Sequence, residues 1–169
     1  MYVSIGYPLG YAKDENGKVC YMLEISVENS LKIINLTYQE FRLWVAVAKQ
    51  EKDIENELIK LLPILKEKGA LIEANMLSGL LEKALTLNPI RAGVGWRDDT
   101  LKECIFINKE FVYLTKMQLD IWRLSTGANK LVSVFNWQLK QSDKPLEIFE
   151  KEFMLAVMEL MIKNVLALR

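Results

Sequence analysis

The sequence predicts an α+β fold: two degenerate copies of one strand-helix-helix unit behind an N-terminal β-hairpin. Three observations carry this reading. β-forming residues crowd the first thirty positions around an Asn-Gly pair, a Thr-capped amphipathic helix follows, and the same cap and helix return 78 residues later. A chain of 169 residues, half of them apolar, suffices for one large domain or two small ones sharing a core.

The stretches Tyr2 to Tyr11 and Val19 to Ile25 flank Asp14-Glu15-Asn16-Gly17, which predicts a hairpin over residues 1–30. A third strand, Leu31 to Leu36, runs into Thr37. This residue suits an N-cap, and Glu40 stands at the position that completes a capping box. Phe41, Leu43, Trp44 and Val47 give that helix its buried face, and it ends near Lys49. Ile54, Leu58, Leu61, Leu62 and Leu65 keep helical spacing through a second helix, which stops at Gly69, the residue best suited to a left-handed C-terminal cap. Ala70 to Glu73 leaves as a strand. Asn75 to Leu87 reads as a further helix stopped by Asn88-Pro89. Ile90 to Asn108 reads as an extended segment bent at Gly93, Gly95 and Asp98-Asp99.

The pattern then returns. Leu114, Thr115, Leu119, Ile121 and Trp122 stand at an offset of 78 against Leu36, Thr37, Phe41, Leu43 and Trp44, and three of nine residues are identical between 36–44 and 114–122. At an offset of 95, Phe149, Phe153, Ala156, Val157 and Leu160 replace the apolar residues of the second helix, and Asn164, which also tolerates the left-handed conformation, falls on Gly69. The change of offset leaves seventeen extra residues between the helices of the second copy, in a region with Gly127, Leu131, Phe135, Trp137 and Pro145, so an elaborated loop or an extra helix is expected there. The units run 31–88 and 89–169.

The 22 basic and 22 acidic side chains cancel, so a charged partner must be recognised locally rather than by a global field. Cys20 and Cys104 are too few for a disulfide framework and lack the paired spacing of a zinc site, and both read as reduced. The N-terminus has no basic start or apolar block of a signal peptide and no run is long enough to span a membrane, which predicts a cytoplasmic protein without a membrane partner. The absence of histidine removes the commonest general base and the usual partner of Ser or Cys nucleophiles, so no enzyme is expected, and neither metal nor cofactor. Asp98-Asp99 reads as a solvated turn, Cys104 as a small buried hydrophobe, and Gly93-Val94-Gly95 as a turn rather than a phosphate loop.

A strand, a capped helix with a buried aromatic, a second helix ending in Lys68-Gly69-Ala70-Leu71-Ile72 and a following strand together resemble a winged helix-turn-helix domain, closely over 31–73 and more loosely over 109–169. The second copy, with Leu114-Thr115, Trp122 and Gly127, also resembles the small PqqD-like proteins that hold peptide substrates for modifying enzymes. The winged-helix resemblance implies a DNA-binding transcriptional regulator, with the third helix in the major groove and the wing on the backbone. The basic residues that would serve are Lys60, Lys66, Lys68, Arg91, Arg97, Lys116, Arg123 and Lys130. Against this, 51–68 holds five acidic and four basic residues, a poor phosphate-binding balance. The alternative is a protein- or peptide-binding adaptor that uses Ile59, Pro63 and the loop tryptophan Trp96 as anchors. Trp44 and Trp122, on the buried sides of equivalent helices, read as core anchors.

Overall fold

The computed structural model describes residues 1–27, 30–98 and 100–169. The chain is mixed α+β, with several small antiparallel sheets and helices packed against them. A short strand β1 (Tyr2–Ser4) opens it, followed by a meander of β2 (Tyr7–Lys13), β3 (Val19–Val27) and β4 (Ser30–Leu36). The Asn-Gly turn is therefore one corner of a three-stranded sheet that runs directly into α1 (Tyr38–Ala48). Thr37 and Glu40 form the capping box: the Thr37 hydroxyl accepts from the Glu40 amide at 3.3 Å, and the Glu40 carboxylate accepts from the Thr37 amide at 2.7 Å.

The second predicted helix is two. The chain forms α2 (Asn56–Ile59) and then α3 (Leu62–Glu67), because Pro63 has no amide hydrogen to continue the ladder and is tolerated only in the first turn of a helix, where it sits. Leu58 and Leu65 are fully inside, while Ile54, Leu61 and Leu62 are partly buried against the same cluster. Gly69 takes the predicted left-handed conformation (φ +72°), and β5 (Leu71–Glu73) returns antiparallel to β1.

After α4 (Leu77–Ala84), shorter than the sequence suggests, comes β6 (Pro89–Arg91). A second meander follows, of β7 (Val94–Arg97), β8 (Glu103–Ile107) and β9 (Glu110–Tyr113). Then come α5 (Lys116–Leu124), α6 (Leu131–Leu139), α7 (Leu146–Ile162) and β10 (Leu166–Leu168), which returns antiparallel to β6. An extra helix, α6, fills the region of the seventeen additional residues. Phe149, Phe153, Ala156, Val157 and Leu160 are all buried, and Asn164 is left-handed (φ +55°).

The same hydrogen bonds recur in both halves. Trp44 Nε1 donates to the Ile5 carbonyl at 2.9 Å, and Trp122 Nε1 to the Ala92 carbonyl at 2.8 Å. The amide of Ile5 donates to Ala70 O and that of Ala92 to Val165 O. Thr115 and Gln118 form the second capping box. Lys68 Nζ reaches back to the cap, touching the Glu40 carboxylate and Asn35 O, and Lys163 Nζ does the same to Gln118 and Tyr113 O. Each indole thus pins the first strand of its half to the capped helix, and each closing strand seals that first strand from the other side.

Two apolar clusters result. One, around Leu23, Leu36, Leu43, Trp44 and Leu65, belongs to the first half. The larger one, around Phe149, Phe153, Met154 and Leu160, also takes in Val3 and the α4 residues Leu80, Leu81 and Ala84, so the halves share apolar surface. The Gly6 amide, donating to Leu168 O at 2.6 Å, and an ion pair between Arg169 and Glu24 add polar contacts between them.

Candidate interaction surface

In an antiparallel sheet, directly opposed residues share a face and successive residues alternate between faces. The registers Val94–Phe106–Phe111 and Trp96–Cys104–Tyr113 therefore put these six side chains on one side of the β7–β9 sheet. Ile105 and Val112 point to the other side, into the second core, and Ile105 is fully buried. The outer row stays open to solvent: Val94 is 63% exposed, Trp96 55%, Phe111 48%, Tyr113 43% and Phe106 38%. The rings pack side by side, with centroids 6.4 Å apart for Trp96 and Phe106 and 5.1 Å for Phe106 and Phe111. The row is thus a contiguous apolar surface that no other part of the described chain covers.

Cys104, in the same row, is buried. Burial pushes its thiol up from the ordinary value, so it stays protonated and inert, as the sequence suggested. Asp98 organises the β7–β8 turn. One carboxylate oxygen accepts from the amides of Thr100 and Lys102 and from the Thr100 hydroxyl at 2.7–2.9 Å, and the other accepts from the Tyr113 hydroxyl at 2.8 Å. The Thr100 and Tyr113 hydroxyls are the main reason its acid is held down to about 2. Lys102 Nζ lies 4.7 Å from the centre of the Tyr113 ring. Asp99 lies outside the described residues.

Because the folded value of Asp98 is below its ordinary 3.8, its contribution to stability is fully present above that value and lost as pH falls from there through about 2. Asp98→Asn is expected to flatten that segment of the stability curve. Denaturant midpoints between pH 5 and pH 2 check this, and an unchanged slope would show that the turn does not depend on the carboxylate.

The basic candidates are scattered and mostly occupied. Lys60 pairs with Glu57 at 2.7 Å, Lys66 with Glu73, and Lys68 with the buried Glu40 at 2.8 Å. Arg123 pairs with Glu103 at 2.6 Å, and Arg97 approaches the same carboxylate at 3.8 Å. The Arg91 guanidinium lies 4.8 Å over the Trp122 ring and donates to Arg123 O. Lys116 and Lys130 are exposed at the starts of α5 and α6. Lys68 shows most clearly what the sequence concealed. A candidate for phosphate contact in the sequence, it turns onto Glu40, whose carboxyl burial alone would push up, but which the Lys68 ammonium and the Thr37 amide together hold below the usual value.

Among the protein-binding candidates, Ile59 and Pro63 are exposed on α2 and α3, and Trp96 alone belongs to the aromatic face of the β7–β9 sheet. Val94, Phe106, Phe111 and Tyr113 were not singled out as anchors. The signal for them was present in the alternation of Val94-Gly95-Trp96, Cys104-Ile105-Phe106 and Phe111-Val112-Tyr113, where both sets of positions are apolar and only the inner one can be covered.

Among the described residues no three His, Cys, Asp or Glu side chains converge as a metal site, and no helix is long and apolar enough to cross a membrane. Comparison with family models, with curated proteins and with solved structures gives no match.

Proposed function

We propose that this chain is a non-enzymatic protein-binding module built from two diverged copies of one unit, and that it receives a polypeptide partner on the outer face of the β7–β9 sheet. The observation that carries the reading is the row Val94, Trp96, Phe106, Phe111 and Tyr113, five exposed apolar or aromatic side chains on a hydrogen-bonded sheet with a covered back. Aromatic anchors of this kind supply most of the energy of protein interfaces.

Charge favours polypeptide over nucleic acid on this face. Stacked aromatics also hold single strands, but only beside a surplus of cations that tracks the phosphates. The segment 94–113 instead holds three basic residues, Arg97, Lys102 and Lys109, against four acidic ones, Asp98, Asp99, Glu103 and Glu110. The winged-helix reading with DNA in the major groove has similar difficulty: its candidate cations Lys60, Lys66 and Lys68 are paired with carboxylates. The strand behind α3 pairs with β1 instead of forming a hairpin of its own. What supports kinship with winged helices is the order of capped helix, second helical segment and strand. A cytoplasmic location accords with the reduced cysteines.

Selection of a random peptide library on the full chain tests the proposal. Peptides recovered on the wild type are expected to lose at least tenfold in affinity on Trp96→Ala and on Phe111→Ser, and to keep it on Lys116→Ala and Lys130→Ala, in fluorescence anisotropy. Equal affinity for wild type and Trp96→Ala would remove this face from the reading. Steeply salt-dependent binding of mixed DNA fragments, abolished by the two lysine substitutions, would restore the DNA alternative.

A further inference from the structure

The hydrogen bonds shared by the halves set Ser4 against Arg91 and Trp44 against Trp122, and these two positions have diverged in size. In the second half, the Arg91 guanidinium covers the Trp122 ring and bonds to the backbone of Arg123. In the first half, the short Ser4 turns its hydroxyl onto the Trp44 carbonyl at 2.6 Å, and no guanidinium lies over the buried Trp44 ring as Arg91 lies over Trp122. A cavity of about 200 Å³ occupies that place. Trp44, Val45 and Ala48 form its near wall, and the second half supplies its far wall with Ala92, Met161 and Leu166.

The wall has a definite chemistry. Among the described residues that line it there is no Lys, Arg, Asp or Glu. The Ser4 hydroxyl and the Trp44 indole N–H are already spent on backbone carbonyls. An ion drawn against this wall would give up part of its hydration without gaining a counter-charge, which disfavours charged ligands, whereas an apolar body loses only unfavourable contact with water. Half-buried Tyr7 and exposed Asn164 lie in the same wall, and a phenolic hydroxyl and a carboxamide are the polar groups their side chains offer to a ligand there. An apolar cavity of about 150 Å³ takes up benzene, so this one suits a single-ring body of slightly larger size.

We propose that the cleft between the two halves is a binding site for a small, uncharged, mainly apolar molecule carrying one hydroxyl or carbonyl group. The site is separate from the aromatic sheet face and does not depend on it. Because both halves contribute walls, its occupant also ties them together.

Fluorine NMR on the full chain with 4-fluorobenzyl alcohol as probe tests this, with 4-fluorobenzoate as its charged counterpart. The alcohol is expected to show saturable binding and the carboxylate none. Ala48→Leu fills the cavity from the near wall and Ala92→Leu from the far wall. Each is expected to weaken binding of the alcohol at least tenfold, while Lys116→Ala leaves it unchanged. Should one filled variant fail to fold, the other still decides. Absence of saturable binding to the wild type, binding of the carboxylate as tight as that of the alcohol, or full affinity in a folded cavity-filled variant would each overturn the proposal.

Discussion

Trp44→Ala and Trp122→Ala are each expected to lower the free energy of unfolding by ~3–5 kcal/mol, the usual cost of removing a large buried aromatic. Both rings are buried, each in the cluster of its own half. Each also makes a polar contact that a purely apolar anchor would lack, the indole N–H donating to the Ile5 or Ala92 carbonyl. The phenylalanine variants separate the two parts. They retain most of the apolar surface but leave the carbonyl without its donor, which costs about 1–3 kcal/mol where the group stays dry. Urea denaturation with an unchanged slope reads these differences. Phenylalanine variants as stable as the wild type would show that ring volume alone holds the first strand to the capped helix.

The second large effect concerns Lys68. Glu40 is 5% exposed and carries a negative charge, and Lys68 is its cationic partner. Lys68→Met is expected to destabilise the fold by about 3 kcal/mol, the low end of the cost of breaking a buried pair, because it strands a carboxylate in the interior. The second half shows how to relieve this. There the corresponding box has Gln118 in place of the acid, and Lys163 sits farther away, 3.4 Å from the Gln118 carboxamide. Lys163→Met should therefore cost much less than Lys68→Met, and Glu40→Gln added to Lys68→Met should recover much of the loss. If the double variant were no more stable than Lys68→Met alone, the buried charge would not be the cause. The folded Glu40 carboxyl lies below its ordinary value, so the pair stabilises at neutral pH and its contribution disappears as pH falls through that lower value. The acid limb of the stability curve should correspondingly be shallower in Glu40→Gln.

Features that depend on residues three or four apart were legible in the sequence. Thr37 with Glu40 and Thr115 with Gln118 form their capping boxes, and Gly69 and Asn164 adopt left-handed φ. A further local signal lies in Asp14, Lys18 and Cys20, which match Asp98, Lys102 and Cys104. Both aspartates cap the same tight turn, accepting from the amides two and four residues ahead. Apolar spacing alone suggests one continuous second helix, whereas Pro63, which lacks an amide hydrogen and can begin a helix, opens α3 as a separate element. The aromatic face was misread in part because alternation shows that two faces differ without showing which one the rest of the chain will cover.

By itself, then, the sequence determined the caps of the main helices and the recurrence of the capped helix in the two halves, since these follow from torsional preferences and hydrogen bonds closed within one turn. Tertiary structure alone decided the pairing of β1 with β5 and of β6 with β10, the inward turn of Lys68, the exposure of Trp96, Phe106 and Phe111, and the cavity beside Trp44. Each of these rests on contacts between residues tens of positions apart. Their outcome depends on which apolar surfaces are covered and which charges are desolvated when the whole chain collapses, and no short window of sequence contains that information.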